Sequence, residues 1–492
     1  MADRTALDDR AGGKPRTMET VAVPFWLFLL LLALSAWAVL DRLLIPSVRW
    51  YLRRRVNRVI DEINTRLNVH IRSFQFTKRQ VLIDRLVYDS KVMDAMRDYA
   101  QERNIPREVA LAETRRYARE IVPAFNVYVY FRVGYWLARR IARLLYRVRA
   151  GFADNARLAE VDPHATVVFV MNHRSNMDYV LAAFLAAEHS ALSYAVGEWA
   201  RIWPLQQLIR AMGAYFVRRK SNNPLYRRVL ERYVHMATQE GVCQAVFLEG
   251  GLSRDGRLQP PRLGILNYML RDHDCETGRD IVFVPVGISY DRVLEDRSLL
   301  RALDPDATRR SRWFVIRTTI GFSFHNFWLM ARNQWQRLGY AAVNFGRPVS
   351  VRAYCSERGV DFRRLSTEQR NVEIEQFGIH LMSNIAQLIP ALPVPIAACT
   401  LLRAGADGIG EAEWKTKFYQ LAEELRARGV NVVVPPHTRE HTFETAKRML
   451  QLRHLVVGEG DRYRTAGGAE EVLRYYQNSL GGARAADPAA PI

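Results

Sequence analysis

The sequence predicts an α/β fold, and three observations carry that prediction. Short runs rich in β-branched and aromatic residues, ATVVFVM, GAYFV, AVFLE and IVFVPVGIS, are separated by helical patterns, the alternation expected when strands and helices are layered together. In the pattern from Pro224 to Glu240, Leu225, Val229, Tyr233 and Ala237 recur every four residues, so one apolar stripe faces a sheet. The strand-like runs themselves are apolar almost throughout, as largely buried strands are.

The 492 residues exceed the usual span of one domain, so a core domain with flanking parts is expected. Residues 1–20 form a short N-terminal segment excluded from the cytosol. Residues 21–40, VAVPFWLFLLLLALSAWAVL, have the length and apolarity of a helix crossing a bilayer, with Trp26 and Trp37 near its ends. A signal peptide would have a shorter apolar run and a small-residue cleavage site; DRLLIPSVRWYLRRR follows instead. Arg42, Arg49, Arg53, Arg54 and Arg55 outnumber Arg10, Lys14 and Arg16 on the other side, which predicts a single-pass protein of the inner, cytoplasmic membrane with its large part in the cytoplasm.

Residues 41–150 read as a mostly helical, membrane-proximal region, with a strand pair between His70 and Tyr88 where LNVHIRSFQF and QVLIDRLVY carry β-branched and aromatic residues. The stretch Asn126 to Arg149 mixes aromatics with six arginines in a helical pattern, which suits a membrane interface or a core helix with a solvated face. Residues 151–355 hold the α/β domain, ending in the late strand AAVNFG; the apolar element from Trp313 lies within it. Residues 356–480 read as mainly helical around a Pro-broken stretch IPALPVPIAACTLL, and 481–492 as a disordered tail.

A formal net charge of +20, with 49% hydrophobic residues, excludes a disordered chain and calls for an anionic neighbour. No nucleic-acid-binding module is present, and the arginines are spread over membrane-proximal and loop segments, which points to anionic lipid and phosphorylated or acidic partners instead. The four cysteines form no CxxC pair, so neither a disulfide framework nor a zinc site is implied. HTREH, from His437 to His441, matches the HxxEH zinc pattern but follows Pro435 and Pro436, at a turn or helix entrance, where chance accounts for it.

Four segments carry the chemistry. In VVFVMNHRSNMDYVLAAFL a strand-like run stops at Met171 and a helix starts near Asn176, leaving His173 at a strand end and Asp178 in the first helical turn, where the helix dipole favours a carboxylate. An imidazole oriented by a carboxylate is suited to removing a hydroxyl proton. GAYFVRRK ends a strand in Arg218, Arg219 and Lys220, a basic cluster able to grip phosphate. FLEGGLSRDGRL stops a strand at Glu249 and continues through Gly250, Gly251, Ser253 and Arg254, a loop whose glycines admit an anion to the backbone and whose arginines match phosphate oxygens. In VFVPVGISYDRV, Pro285 and Gly287 disfavour an uninterrupted central strand and predict that its end lines a pocket.

Taken in order, these segments resemble the four motifs of the glycerolipid acyltransferases, and most closely the bacterial membrane glycerol-3-phosphate acyltransferases and their relatives acting on dihydroxyacetone phosphate. The resemblance spans roughly residues 114 to 350, with YAAVNFGRPVS as a late motif. It implies a central mixed sheet flanked by helices, His173 and Asp178 as catalytic base and partner, and Arg218, Arg219, Glu249, Gly250, Gly251, Ser253, Arg254 and Pro285 as substrate contacts. It further implies acyl transfer from acyl-CoA or acyl carrier protein to the sn-1 hydroxyl of glycerol 3-phosphate, with no cofactor and no metal. One departure stands out: Leu252 occupies the place where that family reads EGGRSR, which keeps lysophosphatidate and dihydroxyacetone phosphate open as acceptors.

Overall fold

The computed structural model describes residues 24–30, 32, 35, 72–152, 160–186, 191–197, 203, 205–218, 221–303, 337–434 and 439–481. Strands β1 (Arg147–Phe152), β2 (Thr166–Met171), β3 (Ser193–Val196), β4 (Tyr215–Phe216), β5 (Gln244–Phe247), β6 (Ile281–Tyr290) and β7 (Tyr340–Phe345) hydrogen-bond in the order β1-β7-β6-β2-β5-β3-β4, and β8 (Val349–Ser350) pairs with β6. β2 runs parallel to β5 and β6, whereas β6 is antiparallel to β7 and β8. The sheet is therefore mixed. Every residue of β2 and β6 is buried, as unbroken apolar runs require.

Helices cover the sheet: α1 (Arg79–Val87), α2 (Ser90–Glu102), α3 (Arg107–Ile121), α4 (Tyr135–Leu145), α5 (Met177–Ala186), α6 (Leu205–Ala211), α7 (Pro224–Gln239), α8 (Gly264–Leu270) and α9 (Asp296–Arg301). The Asn223 side chain caps α7 by accepting from Tyr226 N, with Pro224 in the first turn. The predicted stripe Leu225, Val229, Tyr233 and Ala237 is buried in a core that also takes in α1 to α3 and both β2 and β6. Beyond β8 come α10 (Val351–Arg358), α11 (Thr367–Leu388), α12 (Pro393–Arg403), α13 (Glu411–Ala427), α14 (Arg439–Leu452) and α15 (Glu470–Ser479). A small antiparallel sheet of β9 (Ile409–Gly410), β10 (Val456–Glu459) and β11 (Arg462–Thr465) lies among them, in the order β10-β11-β9. Residues 62–492 make one compact unit, and residues 1–61 another.

Four expectations change. The described part of the predicted strand pair is helical, because Leu82, Ile83, Leu86 and Val87 bury one face at three- and four-residue spacing. The helical pattern predicted to run to Arg149 stops at Leu145, and Arg147–Phe152 pairs in parallel with β7 as a strand. β6 is uninterrupted: Pro285 sits opposite Val170 and its carbonyl accepts from Gly346 N. Its missing N–H faces the gap where the neighbour changes from β8 to β7, so no ladder bond is lost. Gly287 is required by close approach, since a Cβ there would lie 2.4 Å from the Leu388 carbonyl carbon of α11. Finally, the Pro-broken stretch forms α12 with proline in its first turn.

Cys275 and Cys355 meet as free buried thiols, Sγ to Sγ 2.6 Å. Among the described residues no helix is long and apolar enough to cross a membrane. Most of the 21–40 segment lies outside those residues; its described part is helical, with Phe25, Trp26, Phe28 and Leu32 exposed. Most of the tail, the apolar element from Trp313, Arg219, Lys220 and His437 also lie outside them.

Candidate active site

β2 ends at Met171, but Asn172 extends its pairing with a side chain: Nδ2 donates to Ile288 O (2.9 Å) and Oδ1 accepts from Ile288 N (2.7 Å). His173 is thereby fixed at the carboxyl edge of the sheet, beyond a strand flanked by β5 and β6, where open α/β sheets bind their ligands.

Asp178, in the first turn of α5, turns back onto the preceding loop. Its Oδ2 accepts from His173 Nδ1 (2.8 Å), Arg174 N (2.7 Å) and Ser175 N (3.0 Å), while Oδ1 accepts from the Tyr290 hydroxyl (2.6 Å). A carboxylate only accepts, so the imidazole carries its proton on Nδ1 and leaves the Nε2 lone pair free. That Nε2 is buried and, among the described residues, has no hydrogen-bond partner. The ring is held flat against Phe247 (centroids 4.0 Å apart) and edge-on to Tyr179 (5.4 Å). Burial and the neighbouring Asp178 charge push the Tyr290 phenol well above its ordinary pKa, so it stays a donor.

Glu249 braces the site. Oε1 accepts from His173 N (2.7 Å) and Oε2 from Gln259 N (2.9 Å). Burial raises its pKa, and Arg174 together with these two bonds works against that rise. Ser253 adds a second brace, its N–H donating to His173 O (2.9 Å) and its hydroxyl to Arg257 O (2.7 Å). Gly250 takes φ +66°, and a Cβ there would meet Arg262 Cγ at 2.7 Å.

Of the residues predicted from sequence, His173, Asp178, Glu249, Gly250 and Ser253 come together. Glu249 and Ser253 shape the loop with the atoms that were expected to touch substrate. Half-buried Gly251 makes no hydrogen bond of its own in this network, and exposed Arg254 reaches Ala302 O (3.4 Å). Arg218 is engaged elsewhere: Glu120 holds its guanidinium in a two-pronged ion pair (2.8 and 2.6 Å), with Tyr117 and Tyr226 on its faces. Pro285 lies inside the sheet, opposite Val170.

Three further positions in this network escaped the sequence reading. Tyr290 closes the long apolar run of β6, and only the pairing of β6 with β2 brings it to Asp178. Glu295, just before α9, accepts from Ser175 Oγ (2.7 Å), Asn176 N (3.2 Å) and Asn176 Nδ2 (3.0 Å); burial raises its pKa. Arg174 is 2% exposed, and its Nη1 donates to Ser253 Oγ (3.4 Å) and to Gly256 O. Its place directly after His173 was the available signal. Among the described residues no three His, Cys, Asp or Glu side chains group as a metal site.

Known proteins match this architecture in sequence. Residues 154–289 match the acyltransferase family model, and residues 323–480 the model of the glycerol-3-phosphate acyltransferase C-terminal region. A glycerol-3-phosphate acyltransferase of Xanthomonas axonopodis pv. citri (strain 306) is 25% identical over 440 residues, 87% of this chain and 48% of the relative. One from Pseudomonas entomophila (strain L48) is 30% identical over 309 residues, 60% of this chain and 36% of the relative. The chain thus spans about half or less of the length of these relatives. The crystal structure of the 1-acyl-sn-glycerophosphate (LPA) acyltransferase PlsC from Thermotoga maritima aligns with 51% of this chain and 76% of its own at 17% identity, with a TM-score of 0.29, too low to carry an argument.

Proposed function

We propose that the chain, which carries an acyltransferase region and a glycerol-3-phosphate acyltransferase C-terminal region, transfers an acyl group from an acyl thioester, acyl-CoA or acyl carrier protein, to the sn-1 hydroxyl of glycerol 3-phosphate. One observation carries the chemistry: an imidazole tied to Asp178 through Nδ1 (2.8 Å) with a buried, unpartnered Nε2.

Nε2 takes the proton of the acceptor hydroxyl as its oxygen bonds to the thioester carbonyl carbon. Asp178 stabilises the imidazolium that forms, and its bonds to Arg174 N, Ser175 N and Tyr290 hold it in place against the ring. The C–S bond then breaks, and the imidazolium returns the proton to the departing thiolate. Burial of the ring between Phe247 and Tyr179 excludes water as a competing acceptor.

A second acceptor reading, lysophosphatidate or dihydroxyacetone phosphate, rests on Leu252, half-buried in the loop where the family carries arginine. Competition between the three acceptors with purified protein separates them; product from lysophosphatidate with none from glycerol 3-phosphate would reject the leading assignment. For the mechanism, His173→Ala is expected to lower kcat by about 10²–10⁴ with membrane association intact, and retained turnover would reject it.

The membrane setting belongs to the same proposal. Residues 21–40 anchor the protein in the inner membrane as a single span with the catalytic part in the cytoplasm, supported by their apolar run and the arginines that follow. The excess positive charge attracts anionic lipid, phosphate acceptor and acidic donor. Removal of residues 1–45 is expected to release the protein from membranes under alkaline extraction.

A further inference from the structure

Among the described residues, His173 Nε2, Arg174 Nε and the Tyr475 hydroxyl are buried polar atoms without a hydrogen-bond partner, and all three belong to residues that meet the loop carrying Ser253 and Gly256. Orphaned buried polar atoms are rare because each forfeits its hydration. Tyr475 comes from α15, near the far end of the chain, and its place here is built rather than accidental. Gly256 takes φ +81°, and a Cβ on it would lie 2.0 Å from Tyr475 O; Asn478 Nδ2 donates to Asp255 O (2.9 Å). The loop carrying Glu249 and Ser253 is therefore packed directly on α15.

Arg174 bridges the two. Its guanidinium is held by Ser253 Oγ and Gly256 O, both neutral oxygens, and among the described residues it forms no direct ion pair although it is 2% exposed; the buried Glu249 carboxylate feels its charge from further off. A buried guanidinium whose direct partners are all neutral is only partly compensated, and a ligand anion in contact with it would complete that compensation. Burial pushes the Tyr475 hydroxyl's pKa up, with Arg174 the leading charge pulling it back, so the phenol keeps its proton and can donate.

An open way in exists. A cleft of about 840 Å³ between α9 and α15 has Tyr475, Asn478 and Asp255 along one side and Arg297 and Arg301 on another. Arg254, from the same loop, donates to Ala302 O beside the lining residues Arg301 and Leu303. We propose that this cleft admits a phosphate-monoester acceptor, and that Arg174 and Tyr475 take its phosphate at the inner wall between the cleft and His173. Guanidinium and phenol donors together suit phosphate oxygens. Arg174 follows His173 directly, and the Ser253 loop binds both residues, Ser253 N donating to His173 O and Ser253 Oγ accepting from Arg174, so the proposed phosphate site and the imidazole share one support. The inference rests on the acyl-transfer reading for its acceptor and adds the residues that bind it.

The test uses the full chain in detergent and the variants Tyr475→Phe, Arg301→Glu and Tyr476→Phe. Binding of glycerol 3-phosphate, inorganic phosphate and glycerol is measured by calorimetry, alongside the acceptor KM, the donor KM and the unfolding midpoint. Tyr475→Phe is expected to weaken glycerol 3-phosphate binding and raise the acceptor KM about tenfold, leaving the donor KM unchanged. Its unfolding midpoint should not fall, since the deleted hydroxyl has no partner. Arg301→Glu should weaken binding several-fold, and more so at low salt. Tyr476→Phe, whose hydroxyl bonds to Asp296, should lose stability and keep the acceptor KM.

Inorganic phosphate binding that also depends on Tyr475, with no glycerol binding, would place the phosphate as proposed. Unchanged glycerol 3-phosphate binding in Tyr475→Phe, a loss matched by a lowered unfolding midpoint, or no binding by the unmodified chain would each overturn the proposal. Tyr475-dependent binding without turnover would instead reject the acyl-transfer reading and leave the cleft standing.

Discussion

Two buried charge networks flank α9, and they differ in what they leave unsatisfied. In the first, Asp178 gathers His173 Nδ1, two backbone N–H groups and the Tyr290 hydroxyl, yet the far side of the imidazole has no partner. In the second, Asp296 accepts from Arg453 and from the Tyr476 hydroxyl (2.6 Å), while Tyr476 in turn accepts from Arg453 Nη1 (2.9 Å) and Val293 N (3.2 Å). Both are almost fully buried, so burial does not separate chemistry from architecture. Saturation does: a closed network has finished its work on folding, and an open one holds a lone pair for a ligand.

The largest expected effect breaks the open network. Asp178→Asn puts an amide where a pure acceptor is needed and unsettles the imidazole tautomer; kcat at saturating substrate should fall by about 10³–10⁴. Arg453→Met breaks the closed one. It strands the Asp296 charge, and chemical denaturation should show a loss of about 3–5 kcal/mol, while kcat per folded molecule holds. A fall in kcat comparable with that of Asp178→Asn would dissolve the distinction between the networks. Tyr290→Phe removes one charge-assisted bond from Asp178 and should lower stability by about 1.5–3 kcal/mol, with a smaller effect on kcat than Asp178→Asn.

Asp291 sharpens the contrast from a third position. It is fully buried, accepts from Tyr340 N (2.7 Å) and Val394 N (2.9 Å), and burial pushes its pKa up to about 7. The unfolded chain ionises this carboxyl near pH 4, before the folded one does, so this group's contribution to stability is fullest below that pH and declines as pH rises towards 7. From pH 6 to 7 the decline from this group should be about 1 kcal/mol. Denaturation midpoints across that range should be flatter in Asp291→Asn; an unchanged slope would assign the dependence to another group.

How much was readable in advance follows from the range of the interactions. β2, α5 and α7 were legible because their apolar patterns are local, and so was the His173 and Asp178 pair, whose five-residue spacing spans one turn and a helix start. Leu82 and Ile83 misled because adjacent β-branched and aliphatic residues suit a strand as well as a helix, and only packing chooses between those periods. Pro285 misled because a proline's effect depends on which edge of the strand its missing N–H faces. Arg218 misled because its partner Glu120 lies 98 residues away.

By itself, then, the sequence determined the α/β class, the strand-end histidine with its carboxylate, the glycine-rich loop beside it and the positive charge. The tertiary structure alone decided that Glu249 and Ser253 brace that loop, that Tyr290 and Glu295 hold the turn carrying His173 and Asp178, and that α15 brings Tyr475 onto the loop that holds Arg174. The physical reason is distance along the chain. Periodicity and capping act over a few residues, whereas sheet order and the docking of α15 join positions that no local pattern relates.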